Sequence, residues 1–94
     1  MMDKISIVTP LIHLNGSGKR ALLDQLCAAY RAVQDAMGAL RQAYPNGRDY
    51  YPEPGRLQKA EAQYQARMAH LHAVADSLES EAEAIQTQYP DRDR

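Results

Sequence analysis

Two runs of apolar residues, spaced alternately by three and by four, constrain this chain more than any other feature of it. In the first, Leu23, Leu26, Tyr30, Val33, Met37, Leu40 and Tyr44 occupy the a and d positions of a heptad repeat. Such a seam stays on one side of an α-helix and has to be covered by another helix. Leu22, Ala29, Ala36 and Ala43 flank it, and small residues there let a neighbouring helix approach closely. The second run opens at Leu57 and settles into Tyr64, Met68, Leu71, Ala75, Leu78, Ala82, Ile85 and Tyr89, with Val74 broadening the stripe. Pro45 and Pro90 close the two runs, because the residue before a proline is pushed out of helical geometry. The pattern predicts helices over 19–44 and 56–88.

The rest of the chain arranges itself around those helices. Residues 45–55 connect them, and at that length the connection exceeds the roughly two to eight residues that a bundle turn needs. Asn46-Gly47 and Pro54-Gly55 are turn signals, while Pro52 and Pro54 stiffen its second half. Residues 1–14 alternate Ile5, Ile7 and Thr9 before Ile12 and Leu14, and read as extended, either a short strand or an arm lying across the helices. At about 1.5 Å rise per residue the second helix outreaches the first by on the order of 10 Å, an overhang near Ile85 and Tyr89 that the arm is placed to cover. Asp91-Arg92-Asp93-Arg94, with Pro90, forms a solvated tail. The expected fold is one all-α domain. It is an antiparallel two-helix hairpin with an extended N-terminal arm, and it oligomerises into a helical bundle because a lone hairpin leaves one side of both seams open.

Composition narrows the function classes. A net charge of −1 with acids and bases interspersed lacks the basic excess of a nucleic-acid-binding protein. A single cysteine, Cys27, permits no disulfide within the chain, so the cytoplasm is the expected compartment and a buried, inert thiol the expected state. The segment from Ile5 to Ile12 is interrupted by Ser6, Thr9 and Pro10, and reads as neither a signal peptide nor a membrane span. Every aromatic residue is a tyrosine, a side chain that buries a ring while its hydroxyl seeks a partner, which suits interfaces and ligand walls.

Two loops carry the candidate chemistry. The first runs from His13 and Leu14 through Asn15, Gly16, Ser17, Gly18, Lys19 and Arg20 into the first helix. Helix-start N–H groups, two glycines and two cations make an oxyanion-binding corner. The competing reading is capping alone, with Asn15 or Ser17 as the N-cap. Pairing Tyr44 with Leu57 across the hairpin brings Arg20 near Glu81, with Glu79 and Glu83 close by, and those carboxylates would compete with an anion for Lys19 and Arg20. The fragment is not a Walker A loop, since His13 and Arg20 stand where that motif needs a glycine and a Ser or Thr. The second loop is Arg48-Asp49-Tyr50-Tyr51, followed by Arg56. Its arginines suit bidentate phosphate contacts and its tyrosines suit base stacking, or else a tyrosine plugs the open end of the bundle.

The remaining polar groups signal little. His70 and His72 stand two apart on a helix and face different ways, so no metal site is expected, nor any cofactor. Asp76, Glu79, Glu81 and Glu83 read as a solvated helix face.

His13-Leu14-Asn15-Gly16-Ser17, the heptad helix and Pro45-Asn46-Gly47-Arg48-Asp49-Tyr50-Tyr51 together resemble a group of small phage and prophage proteins. In these a His-Leu-Asn-Gly-Thr/Ser-Ser loop opens a helical hairpin whose connection reads Pro-Asn-x-Arg-Asp-Tyr-Tyr. The resemblance covers residues 11–85. The chain departs from it at Gly18, where the group tends to have Ser, and at Arg20, where a capping-box acid would be usual. In size and hairpin architecture the group is similar to phage anti-defence sponges, which oligomerise and sequester the nucleotide signals of CBASS or Thoeris immunity without cleaving them. That resemblance implies a non-enzymatic protein binding a cyclic nucleotide or ADP-ribose-type ligand. The expected site is composite: the 15–20 loop of one chain meets Arg48, Asp49 and a stacking Tyr50 or Tyr51 of an antiparallel partner. The alternative is a helical protein–protein module whose open seam captures a host or phage helix, acting as adaptor or inhibitor. An enzyme acting on phosphoesters ranks last, for want of a nucleophile–base or carboxylate pair.

Overall fold

The computed structural model describes residues 4–13 and 16–88, and every regular element among them is helical. Helix α1 spans Lys19–Gln42, α2 is a single turn at Gly47–Tyr50, and α3 spans Arg56–Gln86. The two long helices pack together along their seams. Met37 from α1 with Met68 and Ala75 from α3 form the buried cluster, and Tyr30, Val33, Leu40, Tyr64 and Leu71 pack around it. These are a and d residues of the two heptad runs, so the sequence period and the packed face coincide. Near the seam's lower end Tyr44 meets Tyr64 edge to face, with ring centroids 4.7 Å apart.

The register differs from the one that pairs Tyr44 with Leu57. The Tyr44 hydroxyl donates to Glu61 at 3.4 Å, while at the far end Lys19 reaches Gln86. The pairing has slid by one helical turn along α3, because the connection occupies the place opposite Leu57. A Cβ built on Gly47 would stand 3.6 Å from the Leu57 side chain. The connection is not an irregular loop but contains α2. The Asn46 side chain accepts a hydrogen bond from the Arg48 N–H at 2.9 Å and caps that turn. At the start of α3, Gly55 adopts φ 86°, a left-handed conformation that costs an L side chain about 1–2 kcal/mol.

The N-terminal segment forms no strand among the described residues. It is an arm fastened to the end of α3 by Gln88, whose side chain accepts from the Ile12 N–H at 2.9 Å and donates to the Pro10 carbonyl. Ile85, beneath this junction, is fully buried. Tyr89 and residues 90–94 lie outside the described residues. Cys27 is exposed rather than buried. It follows Leu26 by one residue and is therefore turned about 100° away from the seam.

The result is a rod with principal extents of 62 × 23 × 17 Å. Among the described residues the buried hydrophobic side chains are Met37, Met68, Ala75 and Ile85, whereas Leu23, Leu26, Val33, Leu40, Leu71 and Leu78 are only half-buried. No helix among the described residues is long and apolar enough to cross a membrane.

Candidate functional site

The glycine loop enters α1 through a tight turn in which the Gly16 N–H donates to the His13 carbonyl at 3.3 Å. The His13 ring lies over Gly16, with Nε2 2.7 Å from where a Cβ would stand, so any other residue there would push the exposed imidazole aside. Asn15 lies outside the described residues. Ser17 is exposed and does not cap the helix; the N-cap is Gly18, extended at φ −73° and ψ 163°, with no side-chain cap. Its carbonyl accepts from the Leu22 N–H at 3.2 Å. The cap falls on Gly18 because the helix begins at Lys19, whose side chain is drawn back onto α3.

Lys19 departs most from its expected role. Its side chain is 4% exposed, and Nζ donates to the carbonyl oxygens of Gln86 at 3.0 Å and Gln88 at 3.4 Å. Those carbonyls belong to the end of α3, where helix C-termini carry unpaired acceptors and partial negative charge. Lys19 thus serves as a cationic cap on the neighbouring helix rather than facing outward beside Arg20, which is exposed. With the register slid by a turn, position 20 no longer stands opposite Glu81.

At the opposite end of the rod, α2 presents the second set. Arg48 and Asp49 are exposed, Tyr50 is half-buried, and Tyr51 is 84% exposed. One tyrosine packs and its neighbour projects. Arg56 is engaged by Glu53 in an exposed ion pair at 2.9 Å, which withdraws it from this group. Within one chain the glycine loop and α2 stand at opposite ends of the hairpin, so no single protomer assembles His13, Gly16, Ser17, Gly18 and Arg20 with Arg48, Asp49, Tyr50 and Tyr51. Among the described residues, Tyr44 is the one titratable group with a clear perturbation: the adjacent Glu61 carboxylate, then burial, their hydrogen bond and Tyr64 raise its pKa above the ordinary 10.0.

Sequence reasoning missed an open groove of about 660 Å³ between the arm and α3, with Ile5 and Ile7 on one side and Ala69, Ala73 and Asp76 on the other. The signal was present as small residues at positions 69, 73, 77 and 80, one face of a helix. His70 and His72 are both exposed. Among the described residues no three His, Cys, Asp or Glu side chains group as a metal site would. No family model, curated protein or solved structure matches this chain.

Proposed function

We propose that this chain is a non-enzymatic binding protein that works as a homo-oligomer and sequesters a small phosphorylated, nucleotide-derived ligand between protomers. The observation that carries the assembly is the half-buried state of the leucines along both seams. The chain exposes 7165 Å², whereas a compact monomer of its 10.5 kDa exposes about 5400 Å². Covering that seam with a second copy recovers hydrophobic stabilisation of about 25 cal/mol per Å² of apolar surface.

Antiparallel association brings the glycine-loop end of one protomer to the α2 end of its partner. That juxtaposition supports a composite site in which Arg48 clamps phosphate and the exposed Tyr51 offers a stacking face. Arg20 and the turn at Gly16–Gly18 face it from the other chain. Lys19, committed to α3, is left out of the phosphate set.

A second reading draws on a separate observation. Val8 and Leu11 on the arm are 90% and 76% exposed, an apolar edge suited to a partner protein's helix.

Native mass spectrometry of the protein with a panel of cyclic nucleotides and ADP-ribose derivatives separates the two. A closed oligomer that retains one of them, releases it chemically unchanged on denaturation, and loses it in Arg48→Glu supports sequestration. A monomer, or an oligomer indifferent to the whole panel, refutes it. Altered ligand would mark an enzyme.

A further inference from the structure

We infer that the N-terminal arm is a β-strand without its partner, and that the partner is the same strand of a second copy, paired antiparallel about a two-fold axis. The inference rests on the homo-oligomeric half of the proposed function and is independent of its ligand.

The arm has the geometry of a strand. Lys4, Ile5 and Ile7 lie beside residues 69–80 of α3, while Pro10 and Ile12 bond to Gln88. Along the helix the middle of that first contact is about 20 Å from Gln88. The roughly six residues of arm between the two contacts cover that distance only when extended, at about 3.3 Å each. Ile5-Ser6-Ile7-Val8-Thr9 is also uncharged and rich in β-branched residues, as strands are. Yet among the described residues the backbone groups of 5–9 make no hydrogen bond. A bare edge of this kind is a template for pairing with another chain.

The contacts to Gln88 fix which edge is free. In a strand the N–H and C=O of one residue share an edge, and successive residues alternate between the two edges. The Pro10 carbonyl and the Ile12 N–H lie on one edge and are held by Gln88. The other edge therefore carries the groups of Ile5, Ile7 and Thr9. Pro10, which lacks an N–H, falls on the occupied edge and does not interrupt the free one.

A second copy matches that edge. A two-fold axis beside Ile7 sets Ile7 opposite its counterpart and Ile5 opposite the other copy's Thr9, with about six main-chain hydrogen bonds. This register uses every free group, and it keeps Ile5, Ile7 and Thr9 of both arms on the face toward the helices, where β-branched pairs across strands are stabilising. Each arm runs in the direction of its own α3, so antiparallel arms set the two α3 helices antiparallel. The surface to be covered is present: the chain exposes 7165 Å² against about 5400 Å² for a compact monomer of its mass, a surplus about twice the roughly 800 Å² that each partner buries in a standard interface.

Hydrogen–deuterium exchange of the full chain, followed amide by amide over a range of protomer concentrations, tests the pairing. Protection should alternate, present at Ile5, Ile7 and Thr9 and absent at Ser6 and Val8, and should grow with concentration. The Ile12 amide, bonded to Gln88, should be protected throughout. Ile7→Pro removes two of the shared bonds by symmetry and should weaken self-association in sedimentation equilibrium about thirtyfold. Ile7→Ala keeps the N–H and should lose less. Val8→Pro replaces a side chain that is 90% exposed and takes an N–H from the other edge, so it should stay within about threefold of the parent. An oligomer whose arm exchanges freely would overturn the strand pair and leave the seam-built assembly standing, whereas a monomer at every concentration would overturn both. Equal losses in Ile7→Pro and Val8→Pro would mean that side chains rather than the backbone make the contact, and would overturn the strand pair too.

Discussion

Replacing Lys19 with methionine tests whether this residue holds the fold or waits for a ligand. Methionine keeps the length of the stem and removes only the ammonium. Among the described residues, the hydrogen bonds lost are at 3.0 Å to the Gln86 carbonyl and at 3.4 Å to that of Gln88, of which the second is long enough to count for little. A hydrogen bond to a charged group contributes about 1.5–3 kcal/mol, part of it already the attraction of a cation to a helix C-terminus. Against this stands relief from burying a charge on a side chain only 4% exposed. The net expectation is a loss of about 1–2 kcal/mol, or a fall in Tm of about 4–16 °C for a chain of this size. Thermal denaturation followed by circular dichroism measures it, at one protomer concentration because assembly contributes to stability. Lys59→Met, at an exposed position on α3, is the control and should stay within about 0.5 kcal/mol of the parent. A Lys19→Met protein as stable as the parent, or more so, would refute the cap. It would return Lys19 to the list of ligand cations.

Three further outcomes follow from the same geometry. Gln88→Ala should free the arm, seen as faster hydrogen exchange at the Ile12 amide, at a cost of about 1 kcal/mol. Gly55→Ala should destabilise by about 1–2 kcal/mol in chemical denaturation; nothing crowds the new methyl group, so the whole effect is the left-handed backbone. Glu61→Gln should lower the Tyr44 pKa towards 10, read by phenolate absorbance. Because folding raises that pKa, the contribution of the Tyr44–Glu61 contact is present below pH 10 and is lost as the pH climbs through the folded-state value. An unchanged titration in Glu61→Gln would show that the carboxylate is not the cause.

The helices were legible because a heptad seam declares both its period and its face. The slide of one seam along the other was not. Seams with apolar residues at every third and fourth position look alike after a shift of one turn, so apolar spacing alone leaves several registers open. The choice falls to the connection, where Asn46 caps α2 and Gly47 occupies the place opposite Leu57. Four residues of helix are too few to show a period, although an Asn followed by an acid three residues on was readable as a cap. The fate of Lys19 hangs on that same turn. In the slid register it meets the carbonyls that end α3 and is buried; a turn away it would have faced the acidic run beginning at Asp76 and stayed a surface cation. The opening loop's charge was therefore never a property of the loop alone. Arg48 in α2 and Tyr51 just after it are exposed at the opposite end of the hairpin from Lys19, so the contacts that bury Lys19 do not reach them.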